Sequence, residues 1–173
     1  MTVIELVQSG HAPPLLSDDA YRAKLEQTIA SLMAWTGFVA DVARIEEAAS
    51  GTGWRLALAP RSPQACPVEI VLRADQQYDV TIAGETYADH PVSSLDMFLP
   101  LVEAITDGRV VKRRVSSSVT GLARSVSTLV TLADGRVLEN GRLGAAPNSL
   151  PADSQIEIRD THYLPYRGPA ARG

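Results

Sequence analysis

Side chains that could take part in chemistry are few in this sequence and widely spaced. The 173 residues include three histidines, His11, His90 and His162, and one cysteine, Cys66. The histidines lie in loop-like contexts, too far apart for a zinc-ligand spacing, and a single cysteine excludes an internal disulfide and a multi-cysteine metal site. We therefore expect no metal and no cofactor.

We interpret each histidine as a surface or capping residue. If the protein is an enzyme, His90 is the best candidate for a general base, because histidine titrates close to neutral pH. It follows Asp89 in the segment YADHP, but adjacent side chains diverge on an extended chain, so the two do not make a dyad by themselves. Cys66 has no histidine beside it and no helix start that would activate its thiol, and we interpret it as structural.

Two further motifs lack the residues that their chemistry needs. The serine run 116–118 has no flanking glycines, so it is not a nucleophile elbow. The segment SGTGW has two glycines but neither the third glycine nor the lysine of a phosphate-binding loop, and it is typical of a turn. Whether the protein is an enzyme stays uncertain, and these gaps favour a protein without catalytic activity.

Arg113 is the charged residue most in need of a partner. If RVVKRRVSSSVT is a strand, Arg113 shares a face with Val111 and Val115, and we expect that face to point towards the helices. A charge there must be paired or must line a cavity. We expect an ion pair with a carboxylate of the second predicted helix, either Glu103 or Asp96.

The alternative for Arg113 is a ligand-binding role. In that case Tyr87, His90 and Arg113 would line a pocket for a small molecule, between helix 93–106 and the sheet. This hypothesis admits either a small-molecule-binding domain or an enzyme.

Basic residues concentrate in the second half of the chain. The whole protein has a net charge of −4, yet residues 108–142 hold seven basic residues against two acidic ones. Their exposed members would form a basic patch of Lys112, Arg114, Arg124 and Arg136, so nucleic-acid binding through the 109–142 meander is a third hypothesis. Against it, no aromatic residue that could stack on a base lies between Phe98 and Tyr163, and the acidic net charge opposes binding to phosphates.

The C-terminal segment THYLPYRG carries residue types that are common at interface anchors, namely Tyr163, Tyr166 and Arg167. It could dock on a partner, or it could fold back over its own sheet. Both interpretations stay open at this point.

Periodicity predicts the elements that would hold these residues. A helix begins after the N-cap Ser17 and ends near Gly37. A hairpin with strands near 39–48 and 53–59 comes next, although a helix over 38–48 is the alternative. Alternating apolar residues then predict strands in PVEIVLR and YDVTIAG. A helix over 93–106, in which Pro100 should cause a kink or break, precedes the meander, and residues 155–159 could add a strand.

We therefore predict an α+β fold: an antiparallel sheet of about six strands with two helices packed on one face, in the order α-β-β-β-β-α-β-β-β. Residues 1–16 form a flexible N-terminal arm, residues 17–143 one domain, and residues 144–173 a linker and flexible tail. The sequence has no basic leader and no apolar run of the roughly 20 residues that a membrane span needs. We expect a soluble, cytoplasmic protein that makes no membrane contact.

These features favour a non-enzymatic, protein-binding accessory domain, whose partner is another protein or a second copy of itself. Many bacterial accessory proteins, among them secretion chaperones and immunity-type inhibitors, combine a small antiparallel sheet with two helices. That is an analogy of fold, and fold alone does not determine function.

Overall fold

The first helix, α1, spans Asp18–Thr36 in a computed structural model that describes residues 16–144 and 155–168. Ser17 is its N-cap, as predicted, and its hydroxyl accepts a hydrogen bond from the backbone N–H of Ala20 at 3.4 Å. The predicted N-terminal arm lies outside the described residues except for Leu16, whose carbonyl accepts a hydrogen bond from Gln76.

Five antiparallel strands form the first sheet, in the spatial order β1-β2-β3-β4-β5. They are β1 Ala43–Ser50, β2 Gly53–Pro60, β3 Val68–Arg73, β4 Gln77–Ile82 and β5 Glu85–Pro91. The hairpin interpretation of the segment after α1 is confirmed, and the alternative helix is wrong. Cross-strand charges stabilise the polar face, since Arg55 contacts Glu69 at 2.6 Å.

Strand β5 was missed in the sequence because its turn has an unusual residue. Ala83 and Gly84 connect β4 to β5, with φ angles of 54° and 82°. Two consecutive positive φ angles are the mark of a type I′ hairpin turn, which normally takes Asn-Gly or Asp-Gly. Alanine at the first position hid the hairpin, and as a result His90 lies on a strand and not in a loop.

The predicted second helix is split into two parts. A 3₁₀ turn spans Leu95–Met97, and α2 spans Phe98–Thr106. Pro100 therefore lies in the first turn of α2, where a backbone N–H has no partner within the helix, so that a proline is tolerated there. The break predicted at Pro100 occurs just before it.

The prediction of one sheet with about six strands was wrong, because the chain after α2 builds a second antiparallel sheet. Its spatial order is β10-β6-β7-β8-β9. The strands are β6 Val110–Ser117, β7 Ala123–Thr131, β8 Val137–Glu139, β9 Arg142–Gly144 and β10 Ile156–His162. Asn140 and Gly141, with φ angles of 49° and 80°, make the type I′ turn between β8 and β9.

One hydrophobic core joins both sheets and both helices. Alternate side chains of β2, β3 and β4 are buried and pack against Leu32 of α1 and Phe98 of α2. The second sheet adds Val110, Val130 and Leu138 to the same cluster. Both helices therefore cover the apolar face of the first sheet, and α2 also contacts β7.

The tail is held by the protein itself over its described part. Residues 156–162 pair with β6 along its length, so the expectation of a flexible tail does not hold here. Tyr166 is 4% exposed, and its hydroxyl donates to the carbonyl of Cys66 at 2.7 Å. Arg167 contacts both carboxylate oxygens of Asp41. Tyr163 is half-buried against the core. These three predicted anchor residues therefore contact their own domain.

Replacing Tyr166 tests how far this segment stabilises the fold. Tyr166→Phe keeps the ring but leaves the buried Cys66 carbonyl without a donor, so we expect it to lower the free energy of unfolding by about 1 kcal/mol. For a chain of this size that is a fall in Tm of about 2–4 °C. Thermal unfolding followed by circular dichroism measures it. Tyr163→Phe is the control, and equal losses in the two variants would contradict the role of the hydroxyl.

Candidate functional site

Two of the predicted site residues, Tyr87 and His90, line an open cleft at the junction of the sheets. The cleft has a volume of about 640 Å³ and lies between β5 and the β8–β9 hairpin. Glu139, Asn140 and Arg142 supply polar side chains from the hairpin side. The predicted pocket between α2 and the sheet was thus misplaced: these residues face a hairpin that the sequence analysis did not recognise.

A β-bulge brings Tyr87 and His90 to the same cleft. The two residues are three positions apart, so a regular strand would point them to opposite faces. In β5, however, His90 pairs with Tyr78 while Tyr87 pairs with Val80, which leaves an extra residue between them. Asp89 takes the strained position with a φ of 59°, and its N–H donates to the carboxylate of Asp79. Bulges often redirect side chains beside functional sites in this way.

Close backbone packing fixes the far wall of the cleft. Gly141 is buried, and a Cβ atom built on it would lie 2.8 Å from the Tyr87 Cβ and 2.9 Å from the His90 ring. The Tyr78 hydroxyl, which is buried, donates a hydrogen bond to the Gly141 carbonyl. The Asn140 side chain accepts from the backbone N–H of Thr128 at 3.0 Å. The wall is therefore preformed, as binding clefts usually are.

The polar groups of the cleft differ in whether they already have hydrogen-bond partners within the protein. The Tyr87 hydroxyl already accepts a hydrogen bond from the buried Thr128 hydroxyl at 2.9 Å. Within the part of the chain that the structure describes, the side chains of His90, Glu139 and Arg142 make no hydrogen bond or ion pair. One cation, one carboxylate and one imidazole are thus available to a small polar ligand.

Buried groups near the cleft are poorly suited to act as nucleophiles. Burial raises the pKa of the Tyr78 phenol to about 12, against a small opposing effect of Arg142. Burial likewise raises the pKa of the Cys66 thiol to about 12, and the thiol contacts the carbonyl of Pro67. Both groups stay protonated at neutral pH. Among the described residues, no group of three or more potential ligands is placed to hold a metal ion.

Arg113, the third predicted pocket residue, does not line this cleft, although Glu139, which does, adds to the larger effect of Asp160 in raising the pKa of Arg113. It forms a two-pronged ion pair with Asp160 on the neighbouring strand β10, at 2.8 Å and 2.6 Å. Alternation correctly put it on a face with Val111, but that face is opposite to Val110, which packs in the core. The expected partners Glu103 and Asp96 are therefore wrong, because Arg113 faces away from the helices. Arg113 in turn holds the pKa of Asp160 below its usual value.

The residues of the predicted basic patch are not one free cationic surface. Lys112 contacts Glu85 of the first sheet at 2.7 Å, and Arg136 contacts Asp134 at 2.7 Å. Arg124 also interacts with another residue. Arg114 is exposed and lies directly opposite Arg159 in the register of β6 with β10.

A second surface, which the sequence analysis missed, is apolar. We use the term distal arm for residues 114–126 of the β6–β7 hairpin together with residues 156–160 of β10. Seven large apolar side chains are exposed in the described residues, and four of them lie on this arm: Val119, Leu122, Val126 and Ile158. Val119 and Leu122, near the hairpin tip, are 79% and 70% exposed. The sequence does contain Val119 and Leu122 on either side of a glycine turn. Local composition, however, cannot show whether another layer of the fold covers this hairpin, and in the described residues none does.

The comparisons with known proteins assign no identity to either surface. No protein-family profile, curated protein or solved structure matches this chain significantly. The helices within residues 16–144 and 155–168 include none with the length and apolar character needed to cross a membrane. Any functional conclusion must therefore come from the geometry.

The wall of the cleft can be tested by adding one methyl group. Gly141→Ala should cost about 1–2 kcal/mol for the positive φ and a further ~1–3 kcal/mol for overpacking against Tyr87 and His90. The control is Gly135→Ala, because Gly135 has a similar φ of 85° but open space around it, and it should cost only the first part. Urea unfolding measures both. Equal losses of unfolding free energy in the two variants would show that the β8–β9 hairpin does not pack tightly against β5.

The raised pKa of Tyr78 predicts a loss of stability at alkaline pH. The unfolded chain loses this phenol proton near the ordinary tyrosine pKa of about 10, whereas the folded protein holds it up to about 12. The contribution of this phenol to the free energy of unfolding is complete below the pKa of the unfolded chain and is lost as the pH rises through the pKa of the folded protein. Urea unfolding across this interval should show a shallower decline for Tyr78→Phe than for the wild type. The other buried tyrosines contribute equally to both proteins, so identical slopes would contradict the assignment.

Proposed function

We propose that the chain is a non-enzymatic, protein-binding accessory domain, and that the distal arm is its docking surface. The observation that carries this proposal is the concentration of exposed apolar side chains on one hairpin and its neighbouring strand. Exposed apolar groups are costly in water, and a segment that carries several of them is a candidate interaction site. The register puts Val126 on the face of Arg114 and Ile158 on the opposite face with Val115, so the arm offers apolar contacts on both faces and at its tip. Accessory proteins of the chaperone-like or inhibitor-like kind act by covering a partner and need no catalytic group.

The open edge of the second sheet supports the same proposal. Strand β10 is the terminal strand of its sheet, with β6 as its only neighbour among the described strands. Such an edge offers a row of backbone donors and acceptors to an added strand. Ile158, which is 40% exposed, adds an apolar contact beside that row. Backbone pairing and apolar contact are thus available on one surface.

The two other hypotheses have less support. For nucleic acid, Lys112, Arg113 and Arg136 are paired with carboxylates, which reduces the positive field that phosphates would meet. For a small molecule, the cleft at Tyr87 and His90 is open and its charged groups are exposed at the mouth. Ligand binding there stays a prediction, and the arm is the stronger candidate because it carries four of the seven exposed large apolar side chains of the described residues.

Site-specific photo-crosslinking tests the proposal in the cells that express the protein. A photoreactive phenylalanine derivative replaces Leu122 on the arm, and in a matched control it replaces Glu26, which is exposed on α1. We expect covalent protein adducts of defined mass from position 122 and none from position 26. Leu122→Ser, combined with a photoreactive group at Val119, should reduce adduct yield several-fold because the apolar contact is weakened.

Two results would overturn the docking surface. The first is no adduct from either arm position. The second is an equal pattern of adducts from position 122 and position 26, which would indicate random encounter and not a specific surface.

A further inference from the structure

We propose that the β10 edge binds a second copy of this chain, in an antiparallel pairing centred on Ile158 about a two-fold axis. This inference rests on the proposed protein-binding function and names its partner. It follows from three features of β10: the direction of its backbone groups, the order of its charges and the exposure of Ile158.

The backbone of β10 presents alternate residues to the open edge. Ser118 donates to the carbonyl of Gln155, and Tyr163 donates to the carbonyl of Val110. In an antiparallel ladder the hydrogen-bonded positions repeat every second residue, so the odd-numbered residues of β10 direct their N–H and C=O groups towards β6. The even-numbered residues 156, 158, 160 and 162 direct theirs outward. A second strand must pair with those.

Among the registers centred on residues 157, 158 and 159, the one centred on Ile158 combines these outward groups with favourable charges. With Ile158 at the centre, Ile158 of each copy forms a hydrogen-bonded pair with its equivalent. Glu157 then lies opposite Arg159 of the second copy, twice, at the non-hydrogen-bonded positions where side chains are closest. Moving the centre by one residue puts Glu157 opposite Glu157 or Arg159 opposite Arg159. Opposed like charges destabilise a sheet.

A charge conflict inside one copy would also be relieved. Arg159 lies directly opposite Arg114 of β6. In a single copy Arg159 contacts Glu157 of its own strand at 3.2 Å, and both side chains are exposed. In the proposed dimer, Glu157 of the second copy lies on the free side of Arg159. Each pair of arginines thereby gains a carboxylate across the interface.

The pairing also covers apolar surface. Ile158 lies opposite Val115 in the register of β10 with β6 and is 40% exposed. In a two-fold interface the same patch serves both partners, so the two Ile158 side chains would contact each other. The result is one continuous sheet of two five-stranded halves, without an open β10 edge.

Charge reversal provides a direct experiment. Light scattering after size-exclusion chromatography, over a range of concentrations, should give a dimer for the wild type. Glu157→Arg alone opposes arginine to arginine, and Arg159→Glu alone opposes glutamate to glutamate, so each should raise the dimer Kd by about tenfold or more. An equimolar mixture of the two variants should form a heterodimer, because every cross-strand pair is then of opposite sign. The double variant E157R/R159E should dimerise as well.

Strand β1 supplies the matched control. It is the terminal strand of the other sheet and carries the same spacing of an arginine and a glutamate, Arg44 and Glu46. Glu46→Arg should leave the dimer mass unchanged. Circular dichroism of each variant shows that it is folded, and the heterodimer requires two folded copies.

The outcomes separate this inference from the proposed function. A wild type that is monomeric at every concentration, or a mixture that stays monomeric, overturns the dimer. If the position 122 probe still captures a different protein, the protein-binding function stands without self-pairing. If no adduct forms and the wild type is monomeric, both are overturned.

Discussion

Burial of apolar surface at one shared core is the constraint on which the rest of the structure depends. Phe98 of α2, Ile82 of β4 and Val130 of β7 are fully buried. They belong to one hydrophobic cluster that contains side chains of both sheets. Two helices and both sheets share this one cluster of buried side chains, so each sheet is shielded by elements that also contact the other. The hydrophobic effect therefore holds the sheets together, and the polar contacts between them only select how they meet.

Those polar contacts explain the position of the cleft. The β4–β5 hairpin lies against the second sheet. Polar contacts join the two: Tyr78 with Gly141, Tyr87 with Thr128, and Lys112 with both Ala83 and Glu85. The bulge at Asp89 changes the direction in which side chains of β5 point, so that Tyr87 and His90 both face the cleft. The cleft is the space that remains where β5 leaves the β8–β9 hairpin. Its shape therefore results from the way the sheets are joined, whatever it binds.

Sequence periodicity could predict most elements but not their arrangement in space. Alternation identified strands such as β3 and β6 because one face of each is buried or paired. It failed at β5, where Ala83 occupies a turn position that usually takes asparagine and where the bulge breaks the period of two. For Arg113, alternation correctly gave the residues that share its face. Which face meets the core depends on how the second sheet packs, and no local pattern in β6 contains that information.

The same limit applies to the candidate surfaces. The exposure of the distal arm depends on which layers of the fold pack over it. The residue type of Leu122 does not indicate this, because leucine is more often buried than exposed. The docking of Tyr166 depends on a carbonyl a hundred positions earlier, which composition cannot reveal. By contrast, the absence of a nucleophile elbow and of a phosphate loop needed no coordinates, since those motifs are local. Local motifs can therefore be judged from the sequence, whereas the location of surfaces depends on the packing of distant elements.

The position of Tyr166 has a consequence for the order in which the protein is made. Tyr166 completes a site at Cys66 and Thr106, because its hydroxyl donates to the Cys66 carbonyl and its backbone N–H donates to the Thr106 carbonyl. Arg167 reaches back to Asp41. During translation, both sheets can begin to pair while this site still lacks its last side chain. These contacts can form only after residues 156–167 have left the ribosome. Contacts so distant along the chain slow folding, and the carbonyl of Cys66 lacks its tyrosine donor until the tail has docked.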